Sequence, residues 1–229
     1  MKTIPLILIG LIMSLTACSH INSNAQPQQQ SISSTQSSCE KTTNADTSMN
    51  LDMIEQLIAS GRMHAALAHL DNLQSNSLYA TYLRAEALRQ SGREKEAAEQ
   101  YETLLPTCMV GEAHHGLGLI AGRNKLINKA VEHLTLAANN LPVNARVRND
   151  LGYALLLQGG YEKAQREFVT ALELDQDERL AETNMMILFL ITDQQEKAKS
   201  FAKRINMDAQ TVADLNAQAL AIRAETRTR

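Results

Sequence analysis

In this 229-residue sequence, the segment Gly92-Arg93-Glu94-Lys95-Glu96-Ala97-Ala98-Glu99-Gln100-Tyr101 aligns residue for residue with Gly159-Gly160-Tyr161-Glu162-Lys163-Ala164-Gln165-Arg166-Glu167-Phe168, 67 positions further on. Midway lie Gly122-Arg123, with Ala130 and Leu134 in the matching places, and beyond come Ala198 and Ala202. A small residue thus recurs at Ala66, Ala97, Ala130, Ala164 and Ala198, in steps of 31, 33, 34 and 34. A small and a large apolar residue four apart lie one helical turn from each other. The small one lets two helices close, and the large one fills the gap to the next element. A unit of this kind leaves its apolar face uncovered when alone. Units therefore stack into one continuous core with atypical members at the ends.

Composition agrees with a helical chain: there is no Trp, with three Phe and five Tyr, so an all-β sandwich is disfavoured. The central units read Leu117-Gly118, Ala130-x3-Leu134, Ala137, Pro142, and then Leu151-Gly152, Ala164-x3-Phe168, Ala171. These spacings resemble the tetratricopeptide repeat (TPR). The likeness runs from about residue 50 to 205; it is looser at Ala97-x3-Tyr101 and Ala198-x3-Ala202 and loosest at Ala66-x3-Leu70. It implies an all-α fold, a right-handed superhelical solenoid of about five helix pairs over residues 49–208. An unrelated bundle of amphipathic helices is the alternative. From Ala209 to Glu225, Val212, Leu215, Ala219 and Ile222 keep helical spacing. Residues 209–229 therefore read as a capping helix with a charged tail.

The N-terminal end reads as an address. Lys2 is followed by an apolar run from Ile4 to Leu15, the layout of a secretory signal over residues 1–17 and too short for a comfortable membrane span. Leu15-Thr16-Ala17-Cys18 then resembles the bacterial lipoprotein lipobox. That resemblance implies cleavage before Cys18 and lipidation of Cys18, the covalent lipid being the only bound group expected. Several acyl chains anchor stably where one does not. Ser19 in place of Asp implies, by the same resemblance, sorting to the outer membrane of a Gram-negative cell, facing the periplasm. Residues 18–48, with Gln26-Pro27-Gln28-Gln29-Gln30 and a Ser-rich stretch, lack the apolar content to offset ordering entropy. They read as a tether with a reach on the order of 30 Å.

A net charge of −3 gives no footprint for nucleic acid. Nucleophile elbow, phosphate-cradling glycine loop and His-Glu-x-x-His helix are all missing, so neither an enzyme nor a cofactor is expected. His64 and His69 are five apart and His114 and His115 adjacent, which sets neither pair on one helix face; with His133 they read as surface or satisfied core residues, not metal ligands. Cys39 and Cys108 form either a bridge, favoured by an oxidising compartment, or two free thiols. Met185, Met186, Leu188, Phe189, Leu190 and Ile191 form an apolar run that reads as a buried helix or as an apolar partner-binding groove.

Such solenoids use the groove walled by the first helix of each pair. With Leu117 and Leu151 as seventh residues, inner-wall positions are Glu112, His115 and Leu119; Arg146, Asn149 and Tyr153; Leu180, Thr183 and Ile187; the earlier equivalents are Tyr79, Tyr82 and Glu86. The candidate protein-binding residues are Tyr79, Tyr82, His115, Arg146, Asn149, Tyr153, Thr183 and Ile187. Aromatic and Arg anchors are common in binding hot spots. The Asn that a carboxylate-clamp subfamily places after the small eighth residue is replaced by Glu86, Leu119, Tyr153 and Ile187.

Lipobox, tether and repeats together resemble the TPR lipoproteins of pilus and secretion systems. The chain is most similar to the assembly lipoprotein of the tight-adherence (Tad, Flp) pilus, through Val147-Arg148-Asn149-Asp150-Leu151-Gly152-Tyr153-Ala154-Leu155, Gly159 or Gly160, and Ala164. That family implies a non-catalytic, pilotin-like scaffold that holds a secretin segment or another assembly subunit, with no small-molecule substrate. A type IV pilus pilotin, or a lipoprotein that scaffolds peptidoglycan synthases and hydrolases, are the alternatives.

Overall fold

The computed structural model of the chain describes residues 44–73, 77–175 and 179–227, and over them the 34-residue period becomes a succession of helix pairs. The first pair is α1 (Ala45–Ala59) and α2 (Met63–Asn72), the second α3 (Leu78–Gln90) and α4 (Glu94–Leu104), the third α5 (Val110–Arg123) and α6 (Ile127–Asn140). The fourth is α7 (Ala145–Gln158) and α8 (Tyr161–Leu174), the fifth α9 (Arg179–Ile191) and α10 (Gln195–Arg204), and α11 (Ala209–Arg227) follows. The fold is an all-α solenoid of five helix pairs and a C-terminal helix, with no strand among the described residues. The signal segment, Cys18, Cys39 and most of the expected tether lie outside them.

Helix α1 begins within the stretch assigned to the tether by composition. The reason is local: the Asn44 side chain accepts hydrogen bonds from the amides of Asp46 (3.0 Å) and Thr47 (3.2 Å), and Asp46 favours the positive end of the helix. Ser77 and Asn144 cap α3 and α7 in the same way, accepting from the amides of Ala80 and Val147.

The turn inside each pair is set by one residue in the left-handed region. These residues are Gly61, Gly92, Lys125, Gly159 and Asp193, each five positions before the repeating Ala. The amide after each reaches back to a helix carbonyl, as in Arg93 N to Leu88 O (2.9 Å), Leu126 N to Ala121 O (2.9 Å) and Gly160 N to Leu155 O (2.8 Å). The sequence alignment that set Gly122-Arg123 opposite the turn glycines is thereby corrected: the turn falls at Lys125, and Gly122 is a residue of α5.

The repeating Ala residues are all buried, and in the three central repeats the large partner four residues on, Tyr101, Leu134 or Phe168, packs against a glycine of a first helix. A methyl group at Gly116 would fall 2.1 Å from Tyr101 Cζ, at Gly118 2.7 Å from Leu134 Cγ, and at Gly152 2.6 Å from Phe168 Cε1. The core forms two clusters, one from Leu51 to Ala113 and one from Ala121 to Ile222, which divide within the glycine-rich α5.

Helix α9 is buried along its whole apolar run, Met185 to Ile191, which settles the choice left open for that run in favour of core. Helix α11 packs on α9 and extends to α7, burying Leu215, Ala219 and Ile222. It lies on the side of the solenoid formed by first helices, and its 19 residues span about 28 Å.

Candidate functional site

The inner-wall positions of α5, α7 and α9 are joined by a chain of side-chain hydrogen bonds. Asn184 donates to Asn149 Oδ1 (2.8 Å), Asn149 donates to Asp150 Oδ1 (3.3 Å), and Asp150 Oδ2 meets His115 Nε2 at 2.7 Å. Residues 35 apart in sequence thus face one another, because successive first helices stand side by side. Asn149 is the buried polar residue of the core among the described residues, 2% exposed, and its carbonyl oxygen is satisfied by this chain. It braces the wall.

Beside the polar chain lies a cleft of about 490 Å³. Its floor is apolar, with Leu119, Ile127, Leu134, Leu157 and Ile187, and its rim carries Asp150, Thr183, Asn184 and Gln218. The hollow opens beside Gly122 of α5 and the small Ala130 and Ala154, while Gly118, one turn earlier, admits the Leu134 side chain that forms part of the floor. Of the residues expected in the groove, Asn149, Tyr153, Thr183 and Ile187 line this cleft, and His115 abuts it through Asp150. Ile187 is 1% exposed, so it is floor and not a free anchor.

Arg146 is exposed and outside the cleft lining. Tyr79 and Tyr82 sit together on α3, ring centroids 5.9 Å apart, and do not line the cleft either. Gln218 was not foreseen, since nothing in a helical seam says which wall the helix covers. Gly118 and Gly122 had a legible spacing, but their effect needs Ala130 and Ala154 opposite.

Electrostatics along the wall favours neutral or paired groups. Burial pushes the Tyr153 phenol up from its ordinary range and Glu225 adds to this, while a hydrogen bond with Gln218 pulls the other way. Tyr82 is raised mainly by burial, then by Glu86. At Glu86 burial opposes the charge, but Arg89 at 2.7 Å, the Tyr101 hydroxyl and Gln90 outweigh it and hold the carboxyl below the usual range.

His114 and His133 meet across α5 and α6, Nδ1 to Nδ1 3.0 Å, and burial followed by the neighbouring ring lowers the His114 pKa. Among the described residues, His, Cys, Asp and Glu side chains form no cluster of three or more suited to a metal ion. Cys108, exposed in the turn between α4 and α5, takes part in a disulfide.

No protein-family model matches the chain. The chain is 39% identical over 181 residues to the TPR repeat-containing protein PA4299 of Pseudomonas aeruginosa, covering 79% of this chain and 74% of that protein. It therefore belongs to the tetratricopeptide-repeat proteins, a class of helical scaffolds for protein–protein interaction. Among solved structures, it is similar to the thermophilic TPR protein TTC0263 of Thermus thermophilus, with a TM-score of 0.55, 23% identity and coverage of 76% of this chain and 97% of the other. MamA residues 41 to the end from Desulfovibrio magneticus RS-1 match with a TM-score of 0.51 and 18% identity, over 76% and 97% of the two chains. These likenesses concern the fold.

Proposed function

We propose that this TPR protein is a non-catalytic, outer-membrane scaffold of Tad/Flp pilus assembly, anchored through lipid on Cys18 and facing the periplasm. The cleft on the wall of first helices carries the protein-binding half of this reading, because it is apolar at its floor and polar at its rim, as interfaces are. The sequence features supporting the anchor and the pilus role are the lipobox-like Leu15-Thr16-Ala17-Cys18 and the resemblance of the fourth repeat to the assembly lipoprotein. The partner would be a secretin segment or another assembly subunit, held near the membrane until it oligomerises. We further propose Cys39 as the partner of Cys108: a lipidated Cys18 has no thiol to offer, and the bridge would pin the tether to the solenoid.

The test is crosslinking in living cells, then purification from detergent-solubilised outer membranes and identification of the attached protein. A secretin or pilus subunit, lost when Arg146, Tyr153, Tyr79 and Tyr82 are replaced by Ala, is the expected result. Peptidoglycan enzymes in its place would overturn the pilus reading and leave the scaffold. Cys18→Ala should release the protein from the outer-membrane fraction, and normal fractionation would refute the anchor.

A further inference from the structure

The cleft between α5, α7 and α9 is more selective than a general binding wall. A partner in extended conformation brings unpaired backbone donors and acceptors and must find partners for them. Here the wall amides of Asn149 and Asn184 are bonded to each other and to Asp150, and the floor is apolar. A helix brings a backbone already satisfied and needs only an apolar contact. The chain demonstrates the fit itself, since α11 lies on α9 and α7 with Leu215, Ala219 and Ile222 buried, and its Gln218 forms one side of the cleft. Leu180, 57% exposed at the lip, extends the apolar surface outward.

Charge narrows the choice further. Two charged side chains line the cleft, Asp150 and Arg123. The Arg123 guanidinium is directed to Glu94 (3.3 Å) and to the Arg89 carbonyl, whereas the Asp150 carboxylate has a histidine and an amide beside it and, among the described residues, no Lys or Arg ion pair. A basic residue complements it and an acidic one is repelled.

We propose that the pit beside Gly118 and Gly122 seats one bulky apolar side chain of a partner's amphipathic helix, which lies across α5 and α7 next to α11 and sends a basic residue to Asp150. This rests on the reading of the inner wall as a protein-binding surface and names what that surface takes. The volume, about 490 Å³, lies within the range of ligand sites, roughly 300–1,000 Å³, and takes one bulky anchor together with the side chains beside it on the same helical face, while the helix itself stays outside.

Gly122 provides the test. A Cβ there would meet only Ala130 Cβ, at 3.9 Å, so a larger residue fills the pit without displacing the fold. The full chain, methyl-labelled for NMR, is titrated with 18-residue amphipathic helical peptides that carry Leu, Phe or Ala at the centre of the apolar seam and Lys or Glu on the polar face. Leu- or Phe-centred, Lys-faced peptides should shift the Ile127 and Ile187 methyls and bind about tenfold or more tighter than the Ala-centred one. Gly122→Leu should weaken them by a similar factor, Gly122→Ala by less, both with unchanged helical content. Asp150→Asn should erase the preference for Lys over Glu and keep that for Leu over Ala.

Equal binding to wild type and Gly122→Leu overturns the proposal. If that binding is nevertheless lost in Tyr79→Ala/Tyr82→Ala, the inner wall still binds protein and only the pit assignment fails. If no peptide shifts any inner-wall methyl, the wall reading falls with it. Palmitate that shifts the pit methyls and displaces the peptides would assign the pit to an acyl chain and likewise overturn the helix proposal.

Discussion

Glu86 shows how a single side chain here depends on partners far along the chain. By repeat counting it is merely an inner-wall position, yet in the fold its carboxylate accepts from the Tyr101 hydroxyl of α4 and is paired with Arg89, both on a largely buried surface. Its folded pKa is depressed, so this contribution to stability is present above the ordinary carboxylate pKa of about 4.3 and is lost as pH falls through the folded value. Glu86→Gln should destabilise the protein at neutral pH by on the order of 1–3 kcal/mol, because it leaves Arg89 without its charge partner. Urea unfolding from pH 7 down to pH 3 checks this: the gap between wild type and variant should close toward the acid end. Arg89 and Gln90 were within reading distance in the sequence. Tyr101 was not, since only the packing of α4 on α3 brings residue 101 to residue 86.

Among the elements, the turns inside the pairs were the most legible feature, and one of them was misread in an instructive way. Glycine at 61, 92 and 159 signals a left-handed residue directly, whereas Lys125 and Asp193 adopt the same conformation with φ near 60° and give no such signal. Gly122 attracted the alignment, but a glycine inside a helix reports close packing or open space, not a turn. Lys125→Gly and Asp193→Gly should each stabilise the fold by about 0.5–1 kcal/mol, by removing the left-handed penalty. Gly92→Ala should cost about 1 kcal/mol, and because no atom lies within 4 Å of its would-be Cβ the effect is purely one of backbone conformation. Denaturation midpoints of the three variants against wild type are the measurement. Opposite signs are expected for the two kinds of change.

For the whole molecule, the decisive event is where α11 goes. Its seam of Val212, Leu215, Ala219 and Ile222 was readable, and a helix that closes the stack was expected. It covers α9 and reaches α7 on the wall of first helices, which is why α9 is apolar nearly all round while α3, α5 and α7 keep polar residues on that face. Deleting residues 209–227 uncovers the contacts of Leu215 and Ile222, worth roughly 1.5–3 kcal/mol each, against a total stability of about 5–15 kcal/mol. Thermal unfolding should shift down by on the order of 10 °C, and size-exclusion chromatography should show self-association through the bared α9 face. A truncated chain that is monomeric with unchanged Tm would mean that α11 does not complete the core. The sequence by itself determined the period, the five pairs, the alternation of small and large residues and the position of the last helix, because each of these is written in residues a few positions apart or one repeat apart. Only the tertiary structure decided the Asn184–Asn149–Asp150–His115 chain, the hollow beside Gly118 and Gly122 and the seat of α11. These depend on which faces of non-adjacent helices meet, and packing among many side chains settles that where no local pattern does.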